Sequence, residues 1–370
     1  MASPSSRKSG DLDDLDRRII HALQINPRAG FHRVAAVLGV SEQTVARRYQ
    51  RLRGDGLFRV IGLVDPRSIG QTEWMVRVGC RPGGVAPLAD ALARRDDVSW
   101  VVLSAGGSEI VCSVRSRSPQ QRDDLLLQRL PATSQVLSIT AHAVMHRFLG
   151  GAATDWLGYG DALSPGEIAA LRPPALAAPS GLSGSSEPGS AGPSEQGPSA
   201  QLRPEDGPLL DELARDGRCS YAALAAAAGW SVGRVTRRLE ALRSAGIVYF
   251  DVDLAVELMG FGATGYLWLT VEPASLAAVG EELARHAEIP FAAAISGSAN
   301  LVAAVLCRDT EALYQYVTTK ISATAGLRQL EISPILRRVK QAGSSMAGPR
   351  LASPAPAARP RPRRRTPASA

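Results

Sequence analysis

Ser41-Glu42-Gln43-Thr44-Val45-Ala46-Arg47-Arg48, running on to Gly56, returns as Ser231-Val232-Gly233-Arg234-Val235-Thr236-Arg237-Arg238, running on to Gly246. The offset is 190 residues at both ends of this stretch. It becomes 191 farther on, where Arg81-Pro82 meets Glu272-Pro273 and Gly106 meets Gly297, so one residue was gained near Gly70 to Trp74. A register held over roughly 130 residues marks a duplicated folding module rather than a solenoid unit.

The quoted stretch is the third of three short helices. Leu15, Ile19, Ile20 and Leu23 have helical spacing, and Asn26-Pro27 closes that helix. A second helix is predicted over 31–38, with Val34, Val37 and Leu38 inward. Gly39-Val40 makes a tight turn and Ser41 sits where an N-cap belongs. The third helix, 42–53, turns Val45, Tyr49 and Leu52 to one face, Gly56 stops it, and 58–64 alternates loosely as a strand or wing. The second copy repeats the plan with Leu209, Leu210 and Leu213, then Leu224, Gly229 and Ser231, then Val235, Leu239 and Leu242. A turn glycine before a capped third helix spells a helix-turn-helix, expected to be winged.

Downstream the period changes. Strands are predicted over 74–80, 98–105, 109–114 and 136–146, with helices over 85–94 and 119–130, the β-α-β-β-α-β order of a ferredoxin-like domain. The second copy follows with strands 265–271, 289–295, 301–306 and 330–338 and helices 275–286 and 310–323. The fold class is therefore α+β: two copies of a winged helix-turn-helix plus a ferredoxin-like domain. The predicted division is a disordered arm 1–10, helix-turn-helix domains 11–65 and 203–255, and ferredoxin-like domains 66–150 and 256–342. A flexible linker takes 151–202, where Pro, Gly and Ser dominate from about 172 onward, and a disordered basic tail takes 343–370.

Bulk numbers restrict the function classes less than the pattern does. The formal charge of +7 includes six arginines between Arg350 and Arg365, so the rest of the 370-residue chain carries only about +1 and local distribution must decide. Cys80, Cys112, Cys219 and Cys307 share no close spacing, which points to neither a zinc site nor a disulfide framework. The polar N-terminus lacks an apolar targeting segment and no apolar run approaches a membrane span, so a cytoplasmic chain without a membrane partner is expected.

The third helices carry the chemistry. Arg47, Arg48, Arg51 and Arg53 stand against Glu42 in the first copy; Arg234, Arg237, Arg238 and Arg243 stand against Glu240 in the second. The guanidinium fork suits phosphates and guanine edges, and early residues of a recognition helix reach bases while flanking cations position the backbone. Glu42, Gln43, Thr44 and Arg47 are assigned to base edges, Arg48 and Arg51 to phosphates, with Ser41 at the helix start. The second interface comprises Ser231, Arg234, Thr236, Arg237 and Arg238. Its tip, Val232-Gly233-Arg234, offers fewer hydrogen bonds, so the copies should read different half-sites. The tail Arg359-Pro360-Arg361-Pro362-Arg363-Arg364-Arg365 would add only sequence-independent affinity, and a solubilising end explains it equally well.

Other residues read as structure. His142 and His146, four apart on a predicted strand and hence on one face, lack a third ligand, so no metal is expected. Trp74, Trp100, Trp156, Trp230 and Trp268 read as core or interface. No catalytic constellation, Walker loop or GxSxG occurs, so neither a catalytic residue nor a cofactor is expected.

The combination resembles the Lrp/AsnC family of transcriptional regulators. The likeness is carried by Leu12-Asp13-Asp14-Leu15-Asp16-Arg17-Arg18-Ile19-Ile20, Leu38-Gly39-Val40-Ser41, Val45, Arg47-Arg48, Leu52, Gly56 and Ile61-Gly62. It covers nearly all of both modules, although members typically hold one copy. The resemblance implies binding of double-stranded promoter DNA, self-association through the ferredoxin-like domains and an amino acid or related metabolite as effector. The family's effector turn, Gly-x-x-Asp, corresponds to Gly106, Ser108 and Glu109 in one copy and to Gly297, Ser298 and Asn300 in the other, so the Asp is replaced in both. The alternative is a fused two-half enzyme resembling the sirohaem decarboxylases, which share this architecture. Their His- and Arg-rich pocket motifs have no match here, and the paired Arg47-Arg48 and Arg237-Arg238 favour the regulator.

Overall fold

The computed structural model describes residues 12–116, 118–151, 162–172 and 201–354. Each half opens with three helices: α1 (Asp14–Ile25), α2 (Phe31–Leu38) and α3 (Glu42–Gly54), later matched by α7 (Gly207–Arg215), α8 (Tyr221–Ala228) and α9 (Val232–Ser244). α6 (Pro165–Leu171) lies between the two sets. α2 and α8 both end on glycines in the left-handed region, Gly39 and Gly229 at φ 67°, a conformation that favours glycine and turns the chain into the third helix. Ile19, Ile20, Leu23, Val34, Val45 and Leu52 are fully buried, as the spacing predicted.

The strand after each third helix does not stay within its own half. β1 (Phe58–Val64) pairs antiparallel with β6 (Val248–Leu254), Ile61 opposite Asp251, so the two helix-turn-helix domains share a two-stranded ribbon.

The ferredoxin-like orders are present as β2 (Thr72–Cys80), α4 (Val85–Ala93), β3 (Val98–Ser104), β4 (Glu109–Ser116), α5 (Pro119–Asp123) and β5 (Val136–Leu149), then β7 (Ala263–Val271), α10 (Leu276–Leu283), β8 (Phe291–Ile295), β9 (Leu301–Cys307), α11 (Thr310–Thr319) and β10 (Leu327–Gln341). Each last strand is long enough to serve both halves. β5 pairs with β2 through Ala143 and with β8 from Val144 on; β10 pairs with β7 through Pro334 and with β3 from Ile335 on. The order β10-β3-β4-β2-β5-β8-β9-β7, with β7 returning to β10, closes eight strands into a ring that leaves neither half a free long edge. Met75, Val102, Val111, Tyr266, Trp268 and Ile295 fill its interior, while separate clusters seat α4 and α10 outside. The two ferredoxin-like domains of one chain thus pair with each other.

Three expectations need correction. First, 151–202 is not all linker: Leu163 and Leu171 are buried against the first helical domain, and α6 is tied there by Arg18–Glu167 (2.5 Å) and by Asn26 and Arg33 donating to the carbonyls of Leu171 and Ala170. Ser164 and Glu167 form a capping box with Pro165 in the first turn, which starts a helix despite the surrounding composition. The remainder, 152–161 and 173–200, falls outside the described residues, as does the arm 1–10. Second, the tail begins later than 343. β11 (Ser344–Ala347) and β12 (Arg350–Leu351) form a hairpin whose Leu351 is buried and whose backbone N–H donates to Gly56 (2.8 Å). The arginines 359–365 lie outside the described residues. Third, a register shift between Val144 and His146 breaks the strand alternation, leaving His142 buried and His146 exposed.

Candidate nucleic-acid interface and the cavity at the seam

The third helices begin on serine caps. Ser41 accepts from Thr44 N (3.1 Å) and Ser231 from Arg234 N (3.3 Å), so both hydroxyls already serve the helix ends. Glu42, Gln43 and Arg47 are exposed, while Thr44 is half-buried with its hydroxyl 2.8 Å from that of Ser41.

The arginines divide into two classes. Arg48 pairs with Asp13 and with Asp16 (3.1 Å), and Arg51 pairs with Asp16, whose carboxylate is fully buried. Removing a carboxylate from water is costly unless it is paired and hydrogen-bonded, so the residues expected on phosphates first serve a buried acid of their own domain. In the second copy Arg238 grips the equally buried Asp206 through two bonds (2.8 and 2.6 Å). Arg234 pairs with Glu205 (3.0 Å) and stacks on Trp230 (4.1 Å), and the Thr236 hydroxyl donates to Val232 O (3.0 Å). Arg47 and Arg237 stay exposed, with no ion pair among the described residues. Equal spacing on one helix hid this division.

Residues outside the sequence reading lock the two domains together. Arg28 donates to Gly217 O (2.6 Å) and Cys219 O (3.3 Å), and Arg218, its equivalent at an offset of 190, donates to Pro27 O and Ala29 O (both 2.7 Å). Each guanidinium also lies over a ring of the opposite domain, Arg28 on Tyr221 (5.3 Å) and Arg218 on Phe31 (4.4 Å). The repeat offset relates these partners, so a symmetric clamp was hidden in a loop with no helical or strand period.

The effector turns are not brought to one another. Gly107 approaches Leu336 and Gly297 approaches His142, each on the opposite half's last strand. Several of their polar groups have partners inside the chain, whereas Glu109 Oε2 is buried without one among the described residues. Glu109 pairs with Arg77 (2.7 Å), which also reaches Glu331 (2.6 Å) and stacks on Trp268 (4.7 Å). Ser108 donates to Ala105 O (2.8 Å), Ser298 O accepts from Thr270 (3.0 Å), and Asn300 bridges the backbone N and O of Val271 (2.8 and 2.7 Å). Gly106 and Gly297 sit at φ 68° and 109°.

A cavity of about 160 Å³ lies where the β1–β6 ribbon meets the closed sheet. Arg115, Arg147, Arg338, Glu73 and Asp253 give it a charged lining that no local spacing announced. Asp253 is buried opposite Arg59, itself buried, with Asp251 two residues away; burial pushes Asp253 up to about 8 and Asp251 up to about 6. The folded chain thus retains a proton that the unfolded chain releases near pH 4, and stability falls as pH rises from there to about 8, where the loss is complete. Asp253→Asn is expected to raise the melting temperature at pH 9 by a few degrees (~3–5 °C), with the gain shrinking toward pH 4. A pH-independent difference in thermal scans would show the carboxyl to be ionised throughout.

Comparisons with known proteins agree with this layout. Residues 12–53 match the AsnC-type helix-turn-helix domain, 209–249 a winged helix-turn-helix DNA-binding domain, and 264–345 the Lrp/AsnC ligand binding domain. Over 121 residues the chain is 30% identical to an uncharacterised helix-turn-helix-type transcriptional regulator of Pyrococcus furiosus, 32% of this chain and 82% of the relative. It is 28% identical over 153 residues to the regulator AldR of Mycolicibacterium smegmatis, 40% of this chain and 90% of that one. A likeness at full length is to the siroheme decarboxylase NirDL, solved with an iron-uroporphyrin III analogue: TM-score 0.55, 12% identity, 89% of this chain and 93% of that chain. That likeness is one of fold, a tandem of two similar halves. Among the described residues no helix is long and apolar enough to cross a membrane, and no cluster of three metal-ligating side chains occurs.

Proposed function

Since the chain belongs to the Lrp/AsnC family, we propose that it is a sequence-specific DNA-binding transcriptional regulator in which one chain does the work of a dimer. The observation that carries this reading is the linking of two third helices through the shared ribbon and the Arg28/Arg218 clamp, with Arg47 and Arg237 exposed and without an ion pair among the described residues. Two recognition helices held at a fixed separation read two half-sites on one duplex. Glu42, Gln43 and Arg47 read base edges in the first half-site; in the second, Arg237 chiefly holds the backbone, since Val232 and Gly233 precede it without polar side chains. The operator is therefore asymmetric, and the mechanism is binding without catalysis.

Selection from random duplexes with the full chain at roughly 150 mM salt tests this. The expected result is a bipartite motif with one strongly and one weakly specified half. Recovery of no motif would refute the reading. The decarboxylase-like alternative draws support from the arginine-lined cavity, but about 160 Å³ falls well below what a tetrapyrrole needs, ligand pockets being typically ~300–1,000 Å³. Spectral titration with sirohaem reads that alternative directly.

A further inference from the structure

The cavity at the seam sits on the repeat's own axis of similarity. Arg147 and Arg338 are equivalents at an offset of 191, and so are Trp100 and Phe291; all four line it. Elsewhere the lining has diverged. The first copy contributes Glu73, Ser113 and Arg115 where the second has Thr264, Ala304 and Leu306. The ribbon contributes Tyr249, Asp251 and Asp253 from β6 where β1 has Arg59, Ile61 and Leu63. A homodimer would present every such group twice. This chain presents them once, so the polar groups make a single one-sided site.

Its charge is not balanced from within. Glu73 pairs with Arg147 and lies 4.0 Å from Arg115. Arg338 is 8% exposed; among the described residues its nearest carboxylate, Glu257, is 3.9 Å away, and two of its nitrogens, Nε and Nη2, are buried without a hydrogen-bond partner. The Nε atoms of Arg147 and Arg115 are in the same condition. Buried guanidinium N–H groups left unpaired are costly, and they are satisfied when an anion enters. The opposing carboxyls of Asp251 and Asp253 are pushed by burial toward the protonated form, which leaves the arginines in excess. Around these groups stand Trp100, Tyr249, Tyr266 and Phe291, and a cavity near 150 Å³ takes one benzene-sized body.

We propose that this cavity binds one small aromatic carboxylic acid per chain, its carboxylate on Arg338 and its ring among the aromatic side chains of both halves. The site is distinct from the effector turns: none of Gly106, Ser108, Glu109, Gly297, Ser298 and Asn300 is among the residues that line it. Because the lining comes from both sheets and from the ribbon that carries the helix-turn-helix domains, occupancy would stiffen the seam between them.

Sodium benzoate is the probe, with sodium chloride and benzamide as charge and shape controls, read on the full chain without DNA by thermal shift and calorimetric titration. The expected result is a rise in melting temperature with benzoate alone and a stoichiometry of one per chain. Arg338→Met keeps the bulk and removes a buried, poorly compensated charge, so it should fold well; it should weaken benzoate at least tenfold. Ala304→Leu, which fills the cavity without touching a charge, should do the same. Benzoate no more stabilising than chloride, or unaffected by both substitutions, would overturn the proposal. The readout involves no DNA, so its failure is separable from a failure of the regulator reading.

Discussion

Arg238→Ala is expected to unfold the second helix-turn-helix domain well below the temperature at which the parent chain melts. Asp206 has no exposed surface, and its carboxylate accepts two bonds from Arg238 and one from Arg203 N (2.7 Å). Burial works to raise its pKa, but the Arg238 and Arg203 bonds outweigh burial and hold it below the usual carboxylate range. Removing the guanidinium leaves a buried charge without its cation, at a cost of about 3–5 kcal/mol, or on the order of 10 °C in melting temperature. A group with a depressed folded pKa contributes stability above its unfolded value, near pH 4, and loses it as pH falls further. The gap between parent and variant should therefore be full at neutral pH and close below about pH 4. The first domain provides the contrast. Asp16 is shared by Arg48 and Arg51, so Arg48→Ala alone should cost only about 1–2 kcal/mol and the double substitution should match Arg238→Ala. Equal melting of all variants by circular dichroism would show these pairs to be dispensable.

That asymmetry changes how the recognition helices must be tested. Substituting the Arg237-Arg238 pair would abolish DNA binding through unfolding as well as through lost contacts, and substituting the Arg47-Arg48 pair would mix a smaller loss of stability with the lost contacts, so in neither case would the two causes be separated.

The parts of the architecture visible in the sequence were those set by local period and turn chemistry. Val45, Tyr49 and Leu52 on one face, a left-handed glycine before a serine cap, and the repetition of both at 190 residues' distance determine the helix-turn-helix in each half. The β-α-β-β-α-β order followed from the same kind of signal. What escaped depends on pairing between distant edges. Nothing in Val144–Leu149 or Ile335–Lys340 marks these segments as crossing into the opposite sheet, because strand alternation reports which face is buried and not which backbone lies alongside. The cavity escaped for the same reason: its arginines come from positions 115, 147 and 338 and meet only once the ring closes. α6 is a different case. Ser164-Pro165-Gly166-Glu167 is a legible helix start, obscured by the composition on either side.

The cleanest measure of sequence reading is Arg47→Ala alone. Its side chain is exposed and free of ion pairs among the described residues, it follows Glu42, Gln43 and Thr44 on the same helix start, and its removal leaves the Asp16 network intact. The parent fold should be retained, with melting temperature unchanged to within about a degree, since surface substitutions away from such networks usually fall within ±0.5 kcal/mol. Affinity for the selected duplex should fall by about 10- to 100-fold, equivalent to the ~1–3 kcal/mol of a base-edge contact, and specification of the first half-site should relax. Arg237→Ala should behave differently: a uniform weakening across sequences, with the slope of log affinity against log salt reduced by about one and the motif unchanged, as removal of a phosphate contact requires. Binding titrations of both variants at several salt concentrations distinguish the outcomes. If Arg47→Ala leaves the motif and affinity intact, the first helix does not read bases. If both variants lose the motif alike, the two halves read equally, and the divergence of Val232-Gly233 from Glu42-Gln43 would have no bearing on specificity.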